Sequence, residues 1–238
     1  MRNRHGVAVM TIATATLLAA CGGGSGGSYA PQPQPNLMSA PGEQSYSTFL
    51  QTNSSGTLSA TNGADTYSIQ YTFTASTNTT TFNGSAPAYS TTSALVIGKD
   101  NQEVATGTAT TYYLLNHYVP LGQVEQNGTP YAVVTSSTPL PTTFTVGDSG
   151  SVYNQTYYHD STMTVLDASE SLTYAVQVNN SSTIMFCTTS QISGVTAQGT
   201  MDGLADGAET DCYTIDASGN MTFVSVSVEV GGVNLLFQ

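Results

Sequence analysis

Hydrophobic and polar residues alternate along several segments of this chain, and the alternation predicts β-strands. In segment 67–74 the odd positions are apolar, with Ser, Gln and Thr between them. In segment 172–178 the even positions are apolar, and in segment 224–230 four valines alternate with Ser and Glu. A period of two turns one set of side chains toward a core and the other toward solvent. We therefore expect half-buried antiparallel strands here.

Further apolar segments lie between turn signals rich in Gly, Asn and Asp, and these predict more strands. They are Ala94–Ile97, Val104–Leu115, Tyr131–Thr135, Thr142–Val146, Ser151–Tyr158, Thr162–Leu166, Ile184–Thr188 and Val233–Phe237. No segment has a sustained apolar stripe of helical period. The pattern predicts an all-β fold, either an antiparallel β-sandwich or an extended twisted meander. Residues 139–141, Pro-Leu-Pro, could mark a boundary between two subdomains or a bend at a sheet edge.

The N-terminus has the organisation of an export signal. Residues 1–5 are short and cationic, and residues 7–20 are apolar apart from Thr. A spanning helix needs about 20 apolar residues, whereas this run stops at Cys21 and three glycines. We therefore expect a cleaved signal peptide over residues 1–20 and no permanent transmembrane helix.

Leu18-Ala19-Ala20-Cys21 resembles the lipobox of bacterial lipoproteins, which are cleaved before the cysteine and acylated on it. The resemblance implies lipidation of Cys21, including palmitate-type acyl chains, and permanent attachment to a membrane, because two or more chains anchor a protein stably. Gly22 stands where an Asp would favour inner-membrane retention, so we expect the outer membrane. An ordinary signal peptide with a chance cysteine is the alternative.

The residues after Cys21 are rich in Gly, Ser and Pro, which predicts a disordered tether over residues 21–45 and a β domain over residues 46–238. Two parts of that domain, residues 139–152 with 157–160 and residues 196–220, resemble uncharacterised lipoproteins of proteobacteria. They include the sequences Tyr-Tyr-His-Asp at 157–160 and Asp-Gly-Leu-Ala-Asp at 202–206. This resemblance supports the envelope address and implies no activity.

Charge excludes several classes of partner. After Cys21 the chain has one lysine, Lys99, no arginine and fifteen acidic residues, which gives a net charge of −14. Nucleic-acid binding depends on Lys and Arg contacts to phosphate, so we do not expect it. Nucleotide binding is not expected either, because the chain has no Gly-rich phosphate loop.

Cys187 and Cys212 remain once Cys21 is acylated, and in an oxidising compartment they most simply form a disulfide. The bond would close a loop of about 25 residues and contribute on the order of 3 kcal/mol. A metal site is the weaker alternative, because two thiols alone do not complete a zinc set.

Two features suggest hydrolytic chemistry, but neither is a complete catalytic set. Ser149 lies in Gly-Asp-Ser-Gly, which resembles the nucleophile motif of trypsin-like serine proteases. That triad also needs a histidine and a carboxylate, and no Asp lies between His117 and Gly147. His159 beside Asp160 is the other general-base candidate. A hairpin turn explains the first feature and a surface or edge histidine explains the second, both without catalysis, so we assign no catalytic residue.

The densest chemical cluster is an acidic segment with two glycines, and it predicts a flexible loop. Its carboxylates are Asp202, Asp206, Glu209 and Asp211. Such a loop suits Ca²⁺, which takes 6–8 oxygen ligands, although the spacing departs from that of an EF-hand. A solvated acidic turn is the alternative. Tyrosines at 112, 113, 153, 157 and 158 could form a platform for a glycan or a protein partner, or pack in the core.

The sequence thus predicts a lipid-anchored envelope protein with a structural, adhesive or binding role. An envelope hydrolase that uses Ser149 or His159, and a Ca²⁺- or glycan-binding module, are the alternatives.

We expect Cys21→Ala to leave the protein without lipid, because only the thiol accepts the diacylglycerol group. Fatty-acid labelling with membrane fractionation measures this. Label uptake by the variant, together with sedimentation in the outer-membrane fraction, would contradict the lipobox assignment.

Overall fold

The computed structural model describes residues 36–115, 117–125, 128–230 and 233–238. The predicted signal peptide, Cys21 and most of the tether lie outside these residues. The described chain forms two helices, α1 (Glu43–Leu50) and α2 (Ala197–Met201). Its strands are β1 (Ser39–Pro41), β2 (Ser54–Asn62), β3 (Asp65–Ala75), β4 (Thr80–Phe82), β5 (Ser85–Lys99), β6 (Gln102–Leu114), β7 (Val119–Glu125), β8 (Tyr131–Ser137), β9 (Thr143–Thr145), β10 (Ser149–Tyr158), β11 (Leu166–Val178), β12 (Thr183–Ser193), β13 (Gly207–Asp216), β14 (Met221–Val230) and β15 (Val233–Phe237). Neither described helix is long and apolar enough to cross a membrane.

Most of the strands follow one another in a single antiparallel meander. The order is β2-β3-β5-β6-β7-β8-β10-β11-β12-β13-β14-β15, and β4 pairs with β5 to complete 13 strands. The sheet curves until its edges meet, where Ser59 of β2 and Gln238 exchange backbone hydrogen bonds of 3.2 and 3.1 Å. The fold is therefore nearly closed and barrel-like. The all-β prediction is confirmed, in the form of a meander.

The alternating segments form strands as predicted. In β3, Tyr67 and Ile69 are buried, Ser68 between them is half-buried, and the flanking Thr66 and Gln70 are exposed. In β11, Leu172 and Val176 of the predicted alternation are buried and Tyr174 packs against the core, whereas Val178 is exposed.

Strand β14 departs from the predicted alternation because of a β-bulge. Cys212 pairs with Ser225 but Tyr213 pairs with Phe223, so Val224 has no partner. The extra residue reverses the two faces at that point. Phe223 therefore enters the core, while Val224 is only half-buried.

The strand predicted over Thr162–Leu166 is wrong, because β11 begins only at Leu166. The preceding residues form a turn in which the Asp160 carboxylate accepts hydrogen bonds from the backbone N–H and the hydroxyl of Thr162, at 2.9 and 2.6 Å. Such local side-chain bonds compete with strand pairing.

Helix α1 lies inside the curved sheet, where its aromatic side chains contact several strands. Phe49 packs edge-on against Phe73 of β3 and Tyr213 of β13, with ring centroids 5.3 and 5.1 Å apart. Tyr46 makes a similar contact with Phe186 of β12, at 5.8 Å. Residues 46, 49 and 50 are apolar and lie on one face of the helix. The spacing of these residues is helical, but the helix is too short for them to form a sustained apolar stripe in the sequence.

The folded region starts before residue 46, because β1 pairs with β9 in a separate two-stranded sheet. Phe144 of β9 is fully buried and stacks on Phe186, with centroids 4.4 Å apart. Residues 139–141 lead into β9, and β8 and β10 on either side of this excursion pair with each other. The chain on both sides of residues 139–141 thus belongs to one sheet.

The predicted disulfide is confirmed. Cys187 of β12 and Cys212 of β13 stand directly opposite each other in the ladder. Their Cα atoms are 4.1 Å apart, and the bond joins them. It links two strands that are already neighbours.

We expect Phe186→Ala to lower the free energy of unfolding by about 3–5 kcal/mol, as is typical for removing a buried aromatic ring. Phe186 is fully buried, and it contacts both Phe144 and Tyr46. Urea unfolding measures the change. Val178→Ala is the control, because Val178 is 49% exposed and its truncation should cost within about 0.5 kcal/mol. Equal losses in the two variants would contradict this packing.

Candidate functional site

The interior of the sheet contains a cavity of about 350 Å³ above α1. Tyr46, Phe49 and Leu50 of the helix line it on one side, and residues of eight strands form its walls. The aromatic wall residues are Phe73, Tyr153, Tyr157 and Tyr213, and the hydroxyl-bearing ones are Thr91, Ser93, Thr108, Thr111, Thr188 and Ser190. The cavity is therefore both aromatic and polar.

Four carboxylates from three strands face this cavity, and no Lys, Arg or His is among the described residues that line it. Glu125 is the last residue of β7, and Glu170 lies on β11. Glu209 and Asp211 lie on β13, opposite Ser190 and Thr188 of β12. They share the inward face with Tyr213, because residues two apart on a strand point the same way.

Among the described residues, Glu170 is the one carboxylate of the four that accepts hydrogen bonds, and it does so on both oxygens. One of its oxygens accepts from Gln155 Nε2 and from the Tyr157 hydroxyl, both at 2.6 Å. The other accepts from the Ser190 hydroxyl at 2.7 Å. Gln123 on β7 also donates to the Tyr157 hydroxyl. Glu170 is only 6% exposed, and this network of hydrogen bonds stabilises its buried carboxylate.

The other three carboxylates accept no hydrogen bond from the described residues, and their pKa values rise. Burial, together with the charge of Glu170, raises the pKa of Glu125 to about 7 and that of Glu209 to about 7. Burial and the charge of Glu209 raise the pKa of Asp211 well above its ordinary value. Desolvation and like charge both disfavour the ionised form. At neutral pH this group of side chains therefore holds protons that a cation could replace.

The structure divides the four carboxylates predicted to hold Ca²⁺. Asp202 follows α2, and Asp206 accepts a hydrogen bond from the backbone N–H of Val195 at 3.0 Å. Glu209 and Asp211 face the cavity from β13. The prediction of one flexible loop from Asp202 to Asp211 is wrong, because pairing with β12 begins at Gly207.

A second cluster, which we call the rim cluster, consists of His159, Asp167 and Asp202. His159 follows β10, and Asp167 is the extra residue of a β-bulge at the start of β11. His159 Nδ1 lies 2.7 Å from Asp202 Oδ2, which also accepts from Gln198 Nε2 at 3.0 Å. Asp167 is fully buried, and neither of its carboxylate oxygens has a hydrogen-bond partner among the described residues.

Close approach of backbones positions the rim cluster. A Cβ atom at Gly199 of α2 would lie 2.5 Å from the Asp167 carbonyl oxygen, so only glycine lets the helix pack this closely on β11. The Asp167 carbonyl accepts the backbone N–H of Thr196, and the Thr196 hydroxyl in turn accepts the N–H of Gly199. The N-cap of α2 therefore fixes Asp202, at the other end of the helix, beside His159.

The electrostatics of the rim cluster follow from these contacts. Burial raises the pKa of Asp167 to about 6, and the negative charge of the adjacent Asp202 contributes to this rise. Burial alone would raise the pKa of Asp202, but hydrogen bonds from Gln198 and His159 outweigh it and lower that pKa. The hydrogen bond to Asp202 raises the pKa of His159.

The residues considered for hydrolysis do not come together. Ser149 begins β10 and His159 follows its end, so a 10-residue strand separates them by roughly 33 Å. Asp148 accepts a hydrogen bond from the backbone N–H of Thr145, as expected for a turn. His117 lies near Glu43, with its Nδ1 3.5 Å from the carboxylate.

The tyrosines considered as a platform also face different environments. Tyr153 and Tyr157 line the cavity, and Tyr113 is buried in the core. Tyr112 stacks on Phe82 of β4, with ring centroids 4.4 Å apart, in a separate apolar cluster. They therefore do not form one continuous platform.

The raised pKa values predict that stability falls as pH rises from about 4.5 to about 7, because the folded protein binds more protons than the unfolded chain in that window. Glu209→Gln should therefore raise the free energy of unfolding at pH 8 by about 1–3 kcal/mol and flatten the dependence. Urea unfolding at pH 5 and pH 8 measures both effects. Glu103→Gln, at an exposed position of β6, is the control; an equal gain in that variant would contradict the assignment.

No protein-family model, no curated protein and no solved structure matches this chain. The acidic cavity and the rim cluster are therefore the features from which a function can be inferred.

Proposed function

We propose that this protein is a lipid-anchored protein of the outer membrane that binds a small organic cation in the cavity of its sheet. The address is inferred from the lipobox-like sequence ending at Cys21 and from the Gly- and Ser-rich residues after it. The role in binding is inferred from the cavity.

The observation that carries the proposal is the set of carboxylates without donors. Glu125, Glu209 and Asp211 face one cavity, and no described residue donates a hydrogen bond to them. These residues are half-buried and their charges repel one another, which is unfavourable unless a cation or a proton compensates the charge. A protein without a ligand for this cavity would be more stable with apolar side chains at these positions. The loss of stability that these carboxylates cause is explained if they bind a cation.

The remaining walls favour an organic cation over a bare metal ion. Six aromatic rings line the cavity, from Tyr46, Phe49, Phe73, Tyr153, Tyr157 and Tyr213. Ammonium groups bind to the faces of such rings as well as to carboxylates. A volume of about 350 Å³ is at the lower end of the range for small-molecule sites, which is roughly 300–1,000 Å³. Anionic ligands are disfavoured, because the part of the lining that the structure describes has four carboxylates and no cationic side chain.

Ligands with two amino groups test the proposal directly. We expect the full chain to bind 1,5-diaminopentane saturably at pH 8 in isothermal titration calorimetry, and 1,5-pentanediol at least tenfold more weakly. The diol has the same length and lacks the charge. Affinity for the diamine should fall at least tenfold from pH 8 to pH 5.5, because carboxyl groups with pKa values of about 7 become protonated.

Matched variants separate the cavity from the general acidity of the chain. Glu209→Gln/Asp211→Asn should abolish binding of the diamine, whereas Glu103→Gln should leave it unchanged, since Glu103 is exposed. Equal affinity for diol and diamine, or full binding by the double variant, would refute the proposal. Saturable binding of Ca²⁺ in place of the diamine would assign the cavity to a metal ion instead.

A further inference from the structure

We propose that the rim cluster is a binding site for one divalent transition-metal ion, and that Zn²⁺ is the ion that its ligands suit best. This site is separate from the acidic cavity. The proposal rests on the geometry of three side chains, on the burial of one of them and on the chemistry of the set.

The geometry already approximates a coordination shell. His159, Asp167 and Asp202 each offer one ligand atom, and these atoms lie within 4.8 Å of one another. Zinc ligands lie about 2.0–2.2 Å from the ion, so that tetrahedral ligand atoms are roughly 3.3 Å apart. To hold an ion, His159 Nδ1 and Asp202 Oδ2 would move apart from their present 2.7 Å, and ligand atoms that are now up to 4.8 Å apart would move closer together. The fourth position would remain for water, as in zinc sites with three protein ligands.

Asp167 is the independent observation that points to a ligand. Asp167 is 0% exposed, and neither of its carboxylate oxygens has a hydrogen-bond partner among the described residues. Buried polar atoms in folded proteins nearly always have a hydrogen-bond partner. The free-energy cost of leaving one unpaired is especially large for a charged group such as a carboxylate. A bound cation beside Asp202 and His159 would supply the missing partner for these oxygens.

The donor set selects the class of ion. One imidazole and two carboxylates suit Zn²⁺ and its neighbours in the first transition series, whereas Ca²⁺ prefers oxygen ligands alone and needs six to eight of them. The two carboxylates also balance the charge of a divalent ion. Gln198 Nε2 donates to Asp202 Oδ2 at 3.0 Å, so it would orient this ligand from outside the shell.

Solvent reaches the rim cluster through its histidine. The His159 side chain is 42% exposed and that of Asp202 is 9% exposed, while Asp167 lies beneath them. An ion could therefore meet the imidazole first and then the carboxylates.

The three ligands would join separate parts of the fold. His159 and Asp167 belong to the β10–β11 hairpin, and Asp202 belongs to the connection between β12 and β13. Leu204 of that connection packs in a cluster with Tyr157, whose hydroxyl bonds to Glu170 in the cavity. A bound ion would thus hold the connection against the hairpin, at the end of the sheet next to the acidic cavity.

Titration of the full chain, purified without a histidine tag, tests the site. We expect one equivalent of Zn²⁺ to bind with a Kd in the micromolar range or below and to raise Tm, whereas Ca²⁺ at the same concentration should not. Co²⁺ in place of Zn²⁺ should give visible absorption bands, which report the coordination geometry directly.

Variants identify the ligands. His159→Ala and Asp167→Asn should each weaken Zn²⁺ binding at least tenfold and remove the Co²⁺ bands. His117→Ala is the matched control and should bind normally, because His117 contacts only Glu43 among the charged residues described. Asp167→Asn should remain folded, since it preserves shape and removes a buried charge. An unchanged or higher Tm without metal would separate loss of binding from loss of structure.

Three results would overturn the proposal. The first is the absence of saturable Zn²⁺ binding, which would leave a shared proton as the partner of Asp167 and Asp202. The second is undiminished binding by His159→Ala and Asp167→Asn. The third is loss of Zn²⁺ binding only in Glu209→Gln/Asp211→Asn, which would place the ion in the acidic cavity.

Discussion

A sheet of this many strands that curves until its edges meet encloses more space than its own side chains can fill, and the rest of the structure depends on how that space is occupied. Sheets of about eight strands are filled by the residues of the strands themselves. Here β1, α1 and β9 contribute additional side chains, of which Phe49 and Phe144 are buried. They complete the apolar core in one part of the interior. The remaining space is the cavity.

The cavity departs from the usual rule that polar groups inside a protein have hydrogen-bond partners. Its walls hold four carboxylates, and three of them lack hydrogen-bond donors among the described residues. Polar groups of this kind oppose folding, because burial favours their protonated form and like charges repel. The core around Phe186, the closure of the sheet and the Cys187–Cys212 disulfide offset this cost. Local violations of the packing rules are concentrated at functional sites.

The rim cluster and the cavity are connected through a short series of contacts. Asp202 and Leu204 lie on the same connection, and Leu204 packs in a cluster with Tyr157. The Tyr157 hydroxyl donates to Glu170 and accepts from Gln123 inside the cavity. An ion at the rim would therefore stabilise one end of the cavity without contacting its ligand. The two sites differ in chemistry, since aromatic rings surround one and an imidazole contributes to the other.

The sequence by itself determined the all-β class, most strand positions and the pairing of two cysteines, because alternation and turn residues act locally. The residues of the acidic cavity and of the rim cluster were harder to predict from the sequence. Glu209 and Asp211 were predicted to belong to a flexible acidic loop, because charged residues at inward positions hide the alternation that Tyr213 and Ile215 continue. Helix α1 was missed, because two turns give too short a stripe. Only the tertiary structure decided that β7, β11 and β13 turn their carboxylates into one cavity, and that a bulge at Asp167 meets His159 and Asp202. These juxtapositions arise from closure of the sheet and from its connections, which bring together residues far apart in the chain.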